Sequence, residues 1–76
     1  MADLATIADK IELVDEVTDV YLDMEHQTAP VQPEGWMLND ESALSNLNDF
    51  LLDQPYMDPP ESVEIKPREG KIVYHF

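Results

Sequence analysis

From Leu4 to Met24 the apolar residues recur at helical intervals. Placed at about 100° per residue, Leu4, Ile7, Ile11, Leu13, Val14, Val17, Val20, Tyr21, Leu22 and Met24 cover a little over half a helical circumference. Asp9, Glu12, Asp15, Glu16, Asp19, Asp23 and Glu25 fill the remaining sector without overlap. The pattern predicts one long amphipathic helix over residues 3–26. Asp3 caps its start or complements the dipole, and Thr28, Pro30 and Pro33 stop it. Lys10 alone sits among the apolar positions, where its stem packs while its amine reaches water.

Residues 28–38, TAPVQPEGWML, read as a Pro-rich loop that folds Trp36 and Met37 back onto the core. A second, shorter helix is expected over residues 39–53. Asn39 or Asp40 caps it, Leu44, Leu47 and Leu51 form its inner face with Phe50 and Leu52 beside it, and Pro55 closes it. A loop over 54–61 leads to a hairpin over 62–76. There Val63 and Ile65 alternate with Glu64 and Lys66, Ile72, Tyr74 and Phe76 alternate with Val73 and His75, and Pro67 and Gly70 supply the turn. Two strands are barely stable alone, so the hairpin is expected to pack on the first helix. The expected fold class is α+β, in a single small domain spanning 1–76.

The chain of 76 residues supports only a small core. It has no cysteine, so disulfides and thiolate metal sites are excluded. No stretch approaches the roughly 20 apolar residues of a membrane span, and MADLATIADK lacks the basic opening of a secretion signal. A cytoplasmic location is expected, that of the host cell if the gene belongs to a phage.

Charge sharpens this picture. Seventeen acids against four bases give a net charge of −13, yet 43% of residues are hydrophobic and patterned, which favours a folded chain over a disordered one. The imbalance is also segregated. Lys10 is the only base before Lys66, whereas Lys66, Arg68 and Lys71 crowd the last eleven positions beside Glu69. Nucleic acid and anionic lipid repel such a chain, so direct binding to DNA, RNA or membrane is not expected.

Catalytic chemistry is hard to place. Ser42, Ser45 and Ser62 lack a triad context, Gly35 and Gly70 cannot build a phosphate-cradling loop, and carboxylates on a solvent face do not make a cleft. Asp23 and His26 have the i,i+3 spacing of one arm of a helical carboxylate site, but the second helix offers no histidine to match it. Neither an enzyme nor a metal or other cofactor is expected, and His75 reads as a surface or edge residue.

The acidic face is the candidate partner-binding surface: Asp9, Glu12, Asp15, Glu16, Asp19, Asp23 and Glu25. Ordinary solvent faces mix signs, because like pairs at i,i+4 destabilise a helix. Here Glu12–Glu16, Asp15–Asp19 and Asp19–Asp23 would all be like pairs, and aspartate is a poor helix former. On a helix, Asp9 to Glu25 would span about 24 Å, roughly one charge per 3.5 Å, near the phosphate spacing of one DNA strand. Tyr21, Trp36, Tyr56 and Met57 are candidate apolar anchors. The leading expectation is a phage- or mobile-element-encoded inhibitor that mimics nucleic acid and blocks a basic nucleic-acid-binding enzyme or effector complex, of anti-CRISPR or anti-restriction type. Other readings are an acidic antitoxin or immunity-type partner of a basic protein, and an acidic–hydrophobic regulatory segment in LSNLNDFLLDQPYMD. The broad apolar arc also leaves room for a homodimer, and salt adaptation is a further source of acid-rich surfaces.

Overall fold

Asp3 starts the first helix, α1 (Leu4–Glu12), by accepting the Thr6 backbone N–H on its carboxylate at 2.8 Å. Ile7, Ala8 and Ile11 turn inward. The computed structural model describes residues 3–37 and 40–76, with Trp36 described by its backbone alone. Asn39, one of the two expected caps of the second helix, and the side chain of Trp36 therefore lie outside the described residues.

The first correction falls at Leu13. The helix ends at Glu12 rather than at residue 26, and Leu13 is its C-cap. A turn follows, and the chain then re-enters as strand β1 (Val17–Val20). Local preferences permit this ending without imposing it. Val17, Thr18 and Val20 are β-branched and lose side-chain freedom in a helix but not in a strand. Leaving the helix also removes the Glu12–Glu16, Asp15–Asp19 and Asp19–Asp23 repulsions that a continuous helix would impose.

A second correction follows from the first. The stretch expected as a Pro-rich loop contains strand β2 (Thr28–Pro33) and a 3-10 turn (Gly35–Met37). β1 and β2 pair antiparallel, with an irregularity between Val17 and Asp19, and are joined through Met24–Gln27. Gln27 takes a left-handed conformation (φ 55°) where a glycine or asparagine is more usual. Asp23 braces this turn by accepting the His26 N–H at 3.2 Å.

Helix α2 (Glu41–Leu52) agrees with the sequence expectation to within two residues at either end. Asp40 is its N-cap, accepting the Ala43 N–H at 3.0 Å, and Leu44, Leu47 and Leu51 are buried. The C-terminal hairpin also forms, but the strand packed directly on α1 is β1 rather than either strand of that hairpin. β3 (Ser62–Lys66) pairs with β4 (Lys71–His75), placing Val63 opposite Tyr74 and Ile65 opposite Ile72. Gly70 takes the left-handed conformation (φ 68°) that closes the turn.

The strands lie in the order β1-β2-β4-β3, every neighbouring pair antiparallel. Alternation sends Ala29 and Val31, opposite Tyr74 and Ile72, to one face. That face shares a single core with Ile7 and Ile11 of α1 and Leu44, Leu47 and Leu51 of α2. Both helices therefore cover the same side of the sheet. The fold class is α+β, with two helices and a four-stranded antiparallel sheet. Each large aliphatic side chain buried there contributes roughly 1.5–3 kcal/mol.

Pro30 and Pro33 lie in a strand flanked on both sides, a rare setting for proline. Pro30 still accepts the Tyr21 N–H, and its missing donor faces the end of β1, which stops at Val20. Pro33 lies beyond the residues of β2 that pair with β4. Each missing N–H thus falls where little pairing is lost. Among the described residues, no helix is long and apolar enough to cross a membrane.

Candidate functional site

The seven predicted carboxylates do not share one helix face. Asp9 and Glu12 are on α1, Asp15 and Glu16 in the turn after it, Asp19 on β1, and Asp23 and Glu25 at the β1–β2 turn. They fall on α1, on the edge strand β1 packed beside it and on the adjoining turns, an acidic border from which Asp19 departs onto the sheet face that carries no helix. Six of them are exposed and Asp23 is half-buried. The even axial spacing expected of a continuous helix is lost.

These carboxylates divide by what they do. The side chains of Asp9, Glu12, Asp15, Glu16 and Glu25 form no hydrogen bond or ion pair among the described residues. Asp19 accepts the Val20 N–H at 2.9 Å, and Asp23 meets His26 Nδ1 at 2.8 Å. The His26 contacts hold the Asp23 carboxyl below the usual carboxylate range. Asp23 and His26, spaced like one arm of a metal site, thus bond to each other in a turn. Among the described residues, no group of three or more His, Asp or Glu side chains is arranged to hold a metal ion.

The bases do not neutralise this border. Lys66 lies 3.5 Å from Glu64 and 3.5 Å from Glu69, and Lys71 lies 3.6 Å from Glu69. His75 Nε2 meets Glu64 Oε1 at 2.6 Å, which, with Lys66, lowers the Glu64 carboxyl. His75 sits on β4, an interior strand, half-buried beside that carboxylate rather than at an edge. Lys66, Lys71 and His75 are thus paired within the hairpin, but Arg68 has no ion pair among the described residues. Lys71 and Arg68 line depressions shared with Asp19 and Thr18 of β1, so the segregation visible along the chain is only partly kept in three dimensions.

The proposed anchors separate as well. Tyr21 is 69% exposed and, with Asp19, Pro30, Gln32 and Lys71, lines a shallow depression of about 320 Å³ on the face that carries no helix. Met57 is buried in the same core as Leu44, Leu47 and Leu51 of α2 and cannot serve as an anchor. Tyr56 is half-buried, and its hydroxyl is enclosed without a hydrogen-bond partner among the described residues. That burial raises the phenol above its ordinary pKa.

Sequence reasoning missed a second surface. A groove of about 530 Å³ runs beside α2, with Met37 and Leu47 as its floor, Ala43, Ser42, Asn46 and Phe50 along its wall, and Glu16 and Asp40 at its rim. Phe50 remains 50% exposed there. The available signal was its displacement from the Leu44, Leu47 and Leu51 stripe, which leaves an aromatic ring off the buried face. Glu16 belongs both to this rim and to the acidic border.

The arrangement offers exposed anions on a folded scaffold, one exposed tyrosine and one apolar groove. No family model matches the chain, and neither a curated protein nor a solved structure is found to resemble it.

Proposed function

We propose that this chain is a non-enzymatic binding protein whose acidic border docks on the cationic surface of a nucleic-acid-handling protein and excludes the nucleic acid. One observation carries the reading: Asp9, Glu12, Asp15, Glu16 and Glu25 are exposed, and their side chains have no partner among the described residues. Unpaired like charges oppose folding through mutual repulsion. An external cation relieves that repulsion and makes encounter fast and salt-sensitive.

The short helix changes what supports this reading. Regular phosphate-like spacing no longer contributes; charge density and the absence of internal neutralisation do. The DNA-mimic inhibitor of phage or mobile-element origin remains the leading form of the proposal, acting on a basic effector or restriction-type enzyme. An antitoxin-type partner would share the electrostatics without competing with nucleic acid.

The test is displacement of labelled duplex DNA from a panel of purified basic DNA-binding proteins at low and high ionic strength. The expected result is release of duplex from at least one of them, weakening steeply with salt. The combined variant Asp9→Asn, Glu12→Gln, Asp15→Asn, Glu16→Gln should fold normally and release none. Asp19 and Asp23 are left intact because they hold backbone N–H groups. Release by the variant equal to that by the parent chain would refute the proposal.

A further inference from the structure

We propose that the groove beside α2 receives a basic amphipathic helix presented by a partner protein. The inference rests on the reading of the chain as an acidic protein that docks on a cationic partner, and it names the element that would enter. Three observations converge. The floor and wall are apolar: Met37 and Leu47 are buried beneath, and half of the Phe50 surface is open above them. The lining also carries two carboxylates, Glu16 and Asp40. Ala43, Leu47 and Phe50 follow one another at i, i+4 and i+7, so the apolar lining runs about 10 Å along α2 at the helical rise.

A groove with an apolar lining of that length accepts the apolar stripe of another helix whose residues repeat at three and four positions. Asp49 and Asp53 stand one helical turn from Asn46 and Phe50 and are exposed, so the negative potential continues along α2 beyond the rim. A helix carrying Lys or Arg beside an apolar stripe meets charge of opposite sign from Glu16, Asp40, Asp49 and Asp53. A second copy of this chain does not meet that condition. Two molecules at −13 repel each other, and Glu16 and Asp40 would face further carboxylates.

The test uses the full chain, isotopically labelled, and three synthetic peptides. The first places Leu at i, i+3, i+4 and i+7 among Lys residues, the second scrambles the same composition, and the third replaces each Lys by Glu. The first peptide should shift the amide resonances of Ala43, Asn46, Leu47 and Phe50 and bind about tenfold or more tighter than the scrambled one. The Glu peptide should not bind. Phe50→Ser should weaken the first peptide by a similar factor. Asn46→Lys, at an exposed wall position that leaves the core untouched, should do the same even if Phe50→Ser unfolds the chain.

Equal binding of the first and scrambled peptides would overturn the proposal, as would shifts confined to residues 9–25 or an unchanged affinity in Asn46→Lys. Failure of the nucleic-acid reading looks different. If the peptide occupies the groove while no basic protein releases its duplex, the docking surface stands and competition with DNA falls. Duplex displacement that is unaffected by Asn46→Lys removes the groove alone.

Discussion

The Tyr74 hydroxyl donates to Asn48 Oδ1 at 2.9 Å and so joins β4 to α2 across the core. Tyr56, on the loop after α2, has a hydroxyl enclosed without such a partner among the described residues. The two phenols give opposite expectations. Tyr74→Phe and Asn48→Ala should each cost about 1 kcal/mol or somewhat more, since a made bond is lost. Tyr56→Phe should be neutral or stabilising, because it removes a polar group that folding desolvates. Urea denaturation of the three variants distinguishes these outcomes, and a loss in Tyr56→Phe equal to that in Tyr74→Phe would contradict this account.

Burial raises the Tyr74 phenol well above its ordinary pKa, and nearby Tyr56 and Asp49 add to the effect. The folded state therefore keeps a proton that the unfolded chain releases near pH 10. The stabilisation is complete below that value and is lost as pH rises through the folded pKa. Stability should fall on the alkaline side, and Tyr74→Phe should flatten that fall. A thermal-melt series between about pH 8 and 11 measures it.

The acid limb has the opposite sign. Asp23 is held low by His26, and Glu64 by His75 and Lys66. Each contributes stability above the unfolded carboxylate pKa of about 4, and that stability is lost as pH falls through the lower folded value. Asp23→Ala should also loosen the β1–β2 turn, visible as faster amide exchange at His26 and Thr28. Unchanged exchange there would mean that Asp23 does not brace the turn.

Leu13 discriminates between a short first helix and a long one. It is 81% exposed, whereas Ile11, two residues earlier, is fully buried. Leu13→Ala should change stability by no more than about 0.5 kcal/mol. Ile11→Ala should cost roughly 2–5 kcal/mol, as should Leu44→Ala. A large loss at Leu13 would mean that its side chain is packed as the apolar arc of a continuous helix requires.

Added salt should raise the melting temperature by a few degrees. The carboxylates without partners repel one another, and screening relieves that repulsion. The surface pairs of Lys66 and Lys71 are weakened at the same time but contribute little. Differential scanning calorimetry in a neutral-salt series reads the balance, and a melting temperature that falls with salt would show that the ion pairs outweigh the repulsion.

Local pattern was enough for the second half of the chain. Asp40 with Leu44, Leu47 and Leu51 specifies α2, because cap and apolar period agree. Val63 and Ile65 opposite Ile72 and Tyr74, with Gly70 at the turn, specify the hairpin. The acidity and its segregation from the terminal bases along the chain were likewise legible, although folding brings Lys71 to the same depression as Asp19. The residues from Leu13 to Pro33 were not legible. Val17, Val20 and Leu22 satisfy a helical period as readily as an alternating one with a bulge, and the turn at Gln27 lacks the glycine that would mark it.

Sequence by itself therefore determined the composition of this protein's surface, its second helix and its last two strands, since each depends on neighbours within a few residues. Tertiary structure alone decided that the first helix stops at Glu12 and that a proline-containing segment becomes a strand. The reason is that β4 needs hydrogen-bond partners on both sides. Thr28–Val31 supplies the side away from β3, setting Ala29 and Val31 against Tyr74 and Ile72, and a backbone left unpaired there would cost more than the helix gives up.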